Sequence, residues 1–298
     1  MDILFTPTSA AYIGESILSL YPALLKKIEV STYISTLARF IIFPLLALLL
    51  GPFRDFKQAM DSPRNISLSL AQSAVNVVHI VSSHTAFVLL PIGVAMSLFY
   101  TYPIMIIVGQ TLVGGNTFQE MIAPFVLALV AFAGVYLVAT SLKEEKKKEV
   151  HAKGIIAALV AAITEVMLYM FIRNNESKSP FFSIHRMYTF GLLFVVVFGV
   201  RGLLSDTDND IFNVEGRQLL PLFATVGTAF IGYFMTFFSI PRISVFAFSI
   251  ISFVGIIASY LWGLVFHSEI PSTRSLLGSG LIALAIAVSR MFGLIETA

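Results

Sequence analysis

Stretches of about twenty mostly apolar residues follow one another along this chain, over 8–25, 33–51, 66–86, 91–112, 119–142, 153–173, 183–204, 217–238, 244–266 and 275–294. A helix rises 1.5 Å per residue, so about 20 such residues cross a hydrocarbon core of roughly 30 Å. Inside lipid each backbone N–H and C=O needs a partner within the protein, which selects helices. Of the 298 residues, 57% are hydrophobic and 12% charged, whereas soluble chains are about 25% charged. These features imply an all-α, polytopic membrane protein whose first partner is the lipid bilayer, with ten transmembrane helices. The first segment lacks the basic flank and small-residue cleavage site of a signal peptide, so it is expected to be retained.

The remaining composition excludes several classes. A net charge of +2 and one short lysine cluster leave no surface for nucleic acid. The chain has no cysteine, hence no disulfide, no thiolate nucleophile and no cysteine metal site. No HExxH, GxSxG or phosphate-binding glycine loop is present, and no paired aspartates lie within a span, so an enzyme is not expected. Asp206-Thr207-Asp208-Asn209-Asp210 opens like a calcium loop, but Ile211 replaces the required glycine and Arg217 the final glutamate. Asn65-Ile66-Ser67 and Asn175-Glu176-Ser177 fit the glycosylation pattern, which is short and common. Neither a metal nor a cofactor is expected.

Turn-forming residues separate the spans at Gly51-Pro52, Asp61-Ser62-Pro63, Gly114-Gly115-Asn116 and Ser205-Asp206-Thr207-Asp208. The most polar break, KEEKKKEVHAK from Lys143 to Lys153, divides the chain into 1–142, a linker over 143–152, and 153–298. Displacing one half on the other by about 150 residues pairs Glu15 with Glu165 and Arg39 with Arg186. It also pairs Tyr102-Pro103-Ile104 with Val254-Gly255-Ile256, and Gly114-Gly115-Asn116 with His267-Ser268-Glu269. Two units of five spans enter the membrane in opposite senses, giving two inverted five-helix repeats, an architecture of many secondary transporters.

Ser35-Thr36-Leu37-Ala38-Arg39-Phe40, Tyr100-Thr101-Tyr102-Pro103, and the run from Gly255 through Glu269 to Gly278 and Gly280-Leu281-Ile282 carry a family resemblance. On these the chain resembles an EamA-like permease of the drug/metabolite transporter superfamily, over nearly its whole length. Glu269 resembles the glutamate of the family's glycine-glutamate pair; His267-Ser268 stands in place of leucine-glycine, and Asn116 in place of the first-half glutamate. The resemblance implies a permease of a cell membrane, with both termini cytoplasmic, that exports or exchanges a small metabolite such as an amino acid. It also implies that the lysine-rich linker is outside, against the positive-inside rule unless the linker is left out of the count.

Ionisable groups inside a span cost a few kcal/mol each, about 3 on insertion scales, and mark functional candidates. Glu15 and Glu165 sit mid-span and related by the repeat, so both are expected at a central cavity, binding a proton or a substrate amine. A carboxyl held by a hydroxyl or paired with an arginine is the bland alternative. Arg39 and Arg186 are expected to tie helices together. Gln72, Asn76, His79 and Ser83 follow at helical spacing along one face of the third span. That stripe is expected to line the cavity, and interhelical hydrogen bonding is its alternative. The second-half counterparts Thr225, Ala229, Gly232 and Thr236 are less polar. Tyr100, Tyr102 and Ser252 complete the expected binding set, Trp262 reads as an interfacial anchor, and Pro103 as a possible hinge. Gly255, Ser259 and Gly263 form a small-residue ridge suited to packing or to a homodimer.

The leading expectation is a small-molecule transporter working by alternating access, with possible proton coupling. A nucleotide-sugar or phosphate-ester exchanger would need more cavity cations than Arg39 and Arg186. A receptor or scaffold that kept the fold would have its polar stripe plugged by side chains.

Overall fold

The computed structural model describes residues 6–28, 30–90, 92–103, 105–106, 118–145, 152–204, 215–268 and 270–291. The motif positions Ile104, Gly114-Gly115-Asn116, 146–151, 205–211 and Glu269 lie outside the described residues.

Serine and threonine start several helices, because their hydroxyls accept from first-turn N–H groups that have no intrahelical acceptor. Thr6 caps α1 (Pro7–Leu25), Ser31 caps α2 (Thr32–Leu50) and Ser62 caps α4 (Pro63–Leu89). Pro7 and Pro63 occupy first-turn positions, where no N–H is needed. Between α2 and α4, Phe53–Ala59 form a short helix, α3, which the hydropathy pattern does not reveal. Then follow α5 (Ile92–Phe99), α6 (Phe118–Glu145), α7 (Ala152–Arg173), α8 (Pro180–Tyr188), α9 (Gly191–Leu204) and α10 (Gly216–Ser239). The last are α11 (Val245–Ser252), α12 (Val254–His267) and α13 (Thr273–Met291). The described residues are all helix and connecting turns.

Among the described residues, six stretches are long and apolar enough to cross a membrane: Thr32–Leu50, Pro63–Leu89, Lys153–Arg173, Pro180–Val197, Gly216–Ser239 and Val245–His267. These coincide with six of the ten expected spans. The other four fall short among the described residues for visible reasons. Helix α1 spreads Thr8, Ser9, Glu15, Ser16, Ser19 and Pro22 through its length, and α5 stops at Phe99. Within α6 and α13 the apolar runs shorten to Phe125–Leu137 and Leu276–Ala285.

Among the described residues, three expected spans are interrupted, at Tyr100-Thr101, at Thr189-Phe190 and at Phe253. The first break precedes Pro103, which has no N–H to return to Phe99. There the Thr101 N–H bonds the Leu98 carbonyl at 3.3 Å, a tighter turn. Helix α12 ends on Ser268 in the left-handed conformation (φ 54°), its N–H returned to Leu264. The resemblance places a glycine at that residue, and this backbone is one glycine adopts without strain.

Helix α1 packs chiefly on α10 and α12, and also on α11; α4 packs on α7 and α8, α5 on α7 and α12, and α6 on α13. Helix α2 lies between the two groups, touching α4, α8, α9 and α10. Close packing uses glycine where rings or helices meet: a Cβ on Gly255 would collide with the Tyr100 hydroxyl, and one on Gly134 with α13. Gly255, Ser259 and Gly263 are buried, so this ridge serves packing within the chain.

Bonds between segments distant in sequence identify which turns share an end of the bundle. Arg173 donates to the Ile240 and Ile243 carbonyls at 2.8 and 2.9 Å, and Arg242 to that of Lys178 at 3.0 Å. Asp55 of α3 accepts from Ser179. At the opposite end Lys26 reaches the Leu90 carbonyl at 3.5 Å, and His267 bonds that of Ala23 at 3.0 Å.

Candidate functional site

Midway between these ends the buried acids meet. Glu15 and Glu165 line one cavity of about 30 Å³ together with Arg39, His79 and Ser83. Tyr100, Tyr102, Tyr21 and Tyr233 complete its polar wall, and Leu18, Phe87, Met96 and Phe99 its apolar one. That volume suits a water molecule; pockets for small ligands run to about 300 Å³ and more. The centre is thus closed around its own side chains.

Each acid has a different partner. Glu15 is 2% exposed and accepts from the Tyr100 hydroxyl at 2.9 Å, with the Tyr102 and Ser252 hydroxyls also in hydrogen-bonding reach. Glu165 Oε2 lies 3.3 Å from His79 Nε2 without the alignment of a hydrogen bond. Tyr233 Oη approaches the same nitrogen at 3.4 Å. The other ring nitrogen, Nδ1, faces the Ala161 carbonyl at 3.2 Å and Thr164 Oγ1 at 3.3 Å. A carbonyl only accepts, so Nδ1 carries the proton. Nε2 is then the ring nitrogen open to a further proton, and it faces both Glu165 and the Tyr233 hydroxyl.

Arg39 is the fixed cation of the site. At 1% exposure its Nε and Nη2 donate to Tyr188 Oη at 3.2 and 2.9 Å. The guanidinium lies over the rings of Tyr233, Phe43 and Tyr21 at 4.4, 5.0 and 5.4 Å. An aromatic face attracts such a cation and costs it less desolvation than aliphatic surroundings would. The arginine expected to tie helices does so, and also faces the cavity. Its supposed counterpart Arg186 stands elsewhere, bonded to Asn65 and, at 3.2 Å, to Asn175 towards the α3 end.

The polar stripe of α4 divides. His79 and Ser83 reach the cavity, whereas Gln72 and Asn76 are used between helices. Gln72 donates to Asn175 at 3.2 Å, and Asn76 to the Met187 carbonyl at 3.0 Å. Ser73 donates to the Arg186 carbonyl at 3.1 Å. Helix α8 ends at Tyr188, so its last carbonyls lack intrahelical partners. Far from water, side chains of α4 supply them. His84, off the stripe, joins Tyr21 and lies 3.1 and 3.3 Å from the Ser35 and Thr36 hydroxyls. Trp262 is half-buried, its indole N–H donating to the Ser16 carbonyl and Ser19 Oγ at 3.2 and 3.1 Å.

Sequence reasoning missed Tyr21 and Tyr233, since aromatic residues in apolar helices usually signal core or lipid. The 3.6-residue spacing of Phe230, Tyr233 and Phe237 on α10 is the available signal. The acid and imidazole groups gathered here are proton and amine ligands; among the described residues no cluster suited to a metal ion occurs.

Comparison with known proteins agrees with this architecture. A crystal structure described only as that of a protein superposes with a TM-score of 0.69, covering 96% of this chain and 100% of its own at 16% identity, which establishes similarity of fold. No curated protein sequence matches the chain. Residues 152–291 match the model of the EamA-like transporter family. The second half of this multi-pass membrane protein is thus similar to the EamA-like transporters, a family of the drug/metabolite transporter superfamily.

Proposed function

We propose that the chain is a secondary transporter that moves a small zwitterionic metabolite, of the amino-acid kind, by alternating access with proton coupling. The observation that carries this reading is the meeting of Glu15 and Glu165, one from each half, at a single cavity with Arg39 and His79. A solute carboxylate would be drawn to Arg39 and an ammonium to the two acids. One fixed cation among two carboxyls and an imidazole leaves a proton to be exchanged when a charged solute enters.

Support for ten crossings in two inverted five-helix repeats comes from the packing. The contact of α1 with α10, from the first half to the second, mirrors that of α7 with α4, from the second to the first, and α1–α12 mirrors α7–α5. The helix breaks at Thr101 and Phe253 fall at corresponding positions. Since only Arg39 of the two expected cations lines the cavity, a nucleotide-sugar or phosphate ester suits it less well.

The test is reconstitution in liposomes with a metabolite panel assayed for counterflow, beside Glu15→Gln and Glu165→Gln. A solute transported by the native chain, with altered pH dependence in either variant, is the expected result. Transport with unchanged pH dependence in both variants would exclude proton coupling. A second reading, a receptor or scaffold, is favoured by the 30 Å³ volume, and absence of counterflow from folded protein would select it.

A further inference from the structure

A groove of about 580 Å³ lies apart from the central site, between α2, α4 and α9, with the start of α7 at its mouth. Its walls are Val77, Val78, Val81, Val88, Leu89 and Val195. Val78, Val81 and Val88 are 44%, 41% and 55% exposed although they belong to a stretch apolar enough to cross a membrane, so this face meets lipid. Hydroxyl residues also line it, and two of them are already engaged within their helices. Thr36 and Thr85 bond carbonyls of their own helices, each at 2.7 Å.

Two features specify the occupant. The first is length: from Val77 to Leu89 the helical rise amounts to about 18 Å, close to the roughly 15 Å depth of one leaflet's hydrocarbon. The second is charge, because Lys153 is the charged residue of the lining and lies at the membrane end of the groove. Gly154 beside it abuts Leu89 and Leu90, which fixes the start of α7 at the end of α4. A lysine at that level meets lipid phosphates and favours anionic head groups.

We propose that this groove is a binding site for one anionic phospholipid, its acyl chain against the α4 valines and its phosphate at Lys153. Inward, the groove reaches Thr36, whose hydroxyl is 3.3 Å from His84 Nδ1, and His84 bonds Tyr21 of the central cavity. Lipid bound here would sit one residue layer from the centre.

The test uses the full chain in mild detergent, exchanged free of host lipid and offered equimolar phosphatidylglycerol and phosphatidylcholine. Retained lipid is counted by native mass spectrometry. The native chain is expected to hold one lipid per chain with about fivefold preference for phosphatidylglycerol. Lys153→Gln is expected to abolish the preference while still retaining lipid, and Lys153→Arg to keep it. Ser82→Phe, which fills the groove, is expected to lose both lipids while gel filtration shows intact protein. Equal retention of the two lipids by the native chain, or a preference unchanged in Lys153→Gln, overturns the proposal. So does undiminished retention in Ser82→Phe.

Discussion

His79 and Glu165 face each other at 3.3 Å across the cavity, while the far side of the imidazole is committed to the Ala161 carbonyl. Only the near nitrogen is left to trade a proton with the acid. Once a transported solute is known, His79→Gln and Glu165→Gln are each expected to flatten the pH dependence of counterflow by roughly tenfold, the scale of coupling between touching groups. The double variant should lose no more than the worse single one. Additive losses, measured as initial counterflow rates across pH, would show that the two act separately.

Arg39 is held as a guanidinium, not merely as a charge. Lysine cannot offer two N–H groups to Tyr188 or lie flat among the rings. Arg39→Lys and Tyr188→Phe are both predicted to destabilise the protein by ~2 kcal/mol, the usual value of a hydrogen bond to a charged group. Thermal unfolding in detergent measures this, and an unchanged midpoint in both would refute the account.

Gly255 leaves the room that the Tyr100 hydroxyl occupies. Gly255→Ala is expected to cost ~1–3 kcal/mol, as overpacking does. In a Tyr100→Ala background the hydroxyl and the ring carbons that a Cβ would strike are both gone, and the same change should cost under about 0.5 kcal/mol. Equal costs in both backgrounds would place the strain elsewhere.

At the α3 end, the two arginines Arg173 and Arg242 bond carbonyls across the turns between helices. A chain without cysteine allows a clean accessibility assay. Phe230→Cys places a thiol in the aromatic packing between that end and the cavity, where Phe230 meets Phe43 at 5.3 Å. Reaction with an impermeant maleimide should quicken severalfold when Arg173→Gln is added. The same rate with and without that change would mean these bonds do not hold the end shut.

Much of the centre was legible in the sequence, because an acid in mid-span has few reasons to be there, and Glu15 and Glu165 do share a cavity. The stripe on α4 was legible only as a polar face. Whether a face turns to a cavity or to a broken neighbour depends on where that neighbour breaks. The end of α8 before Gly191 is set by tertiary packing: α2 crosses so closely there that a Cβ on Gly191 would strike the Phe40 ring. Nothing in the hydropathy of 183–204 announces it. Helix α3 escaped notice because seven residues around Phe53 and Phe56 are too few for a periodic signal.

The interleaved packing has a consequence for how such a chain is made. Ser73 and Asn76 on α4 complete carbonyls of α8, which lies beyond the charged linker, and α1 finds its main support in α10 and α12. When the first five segments have left the ribosome, their polar groups are in the bilayer and their partners are not yet synthesised. The early half has to wait, with Arg39 and Glu15 tolerated by lipid and water until the later half arrives. Synthesis order and assembly order are thereby uncoupled, and a chain truncated at the linker would present quality-control machinery with exposed charge inside the membrane.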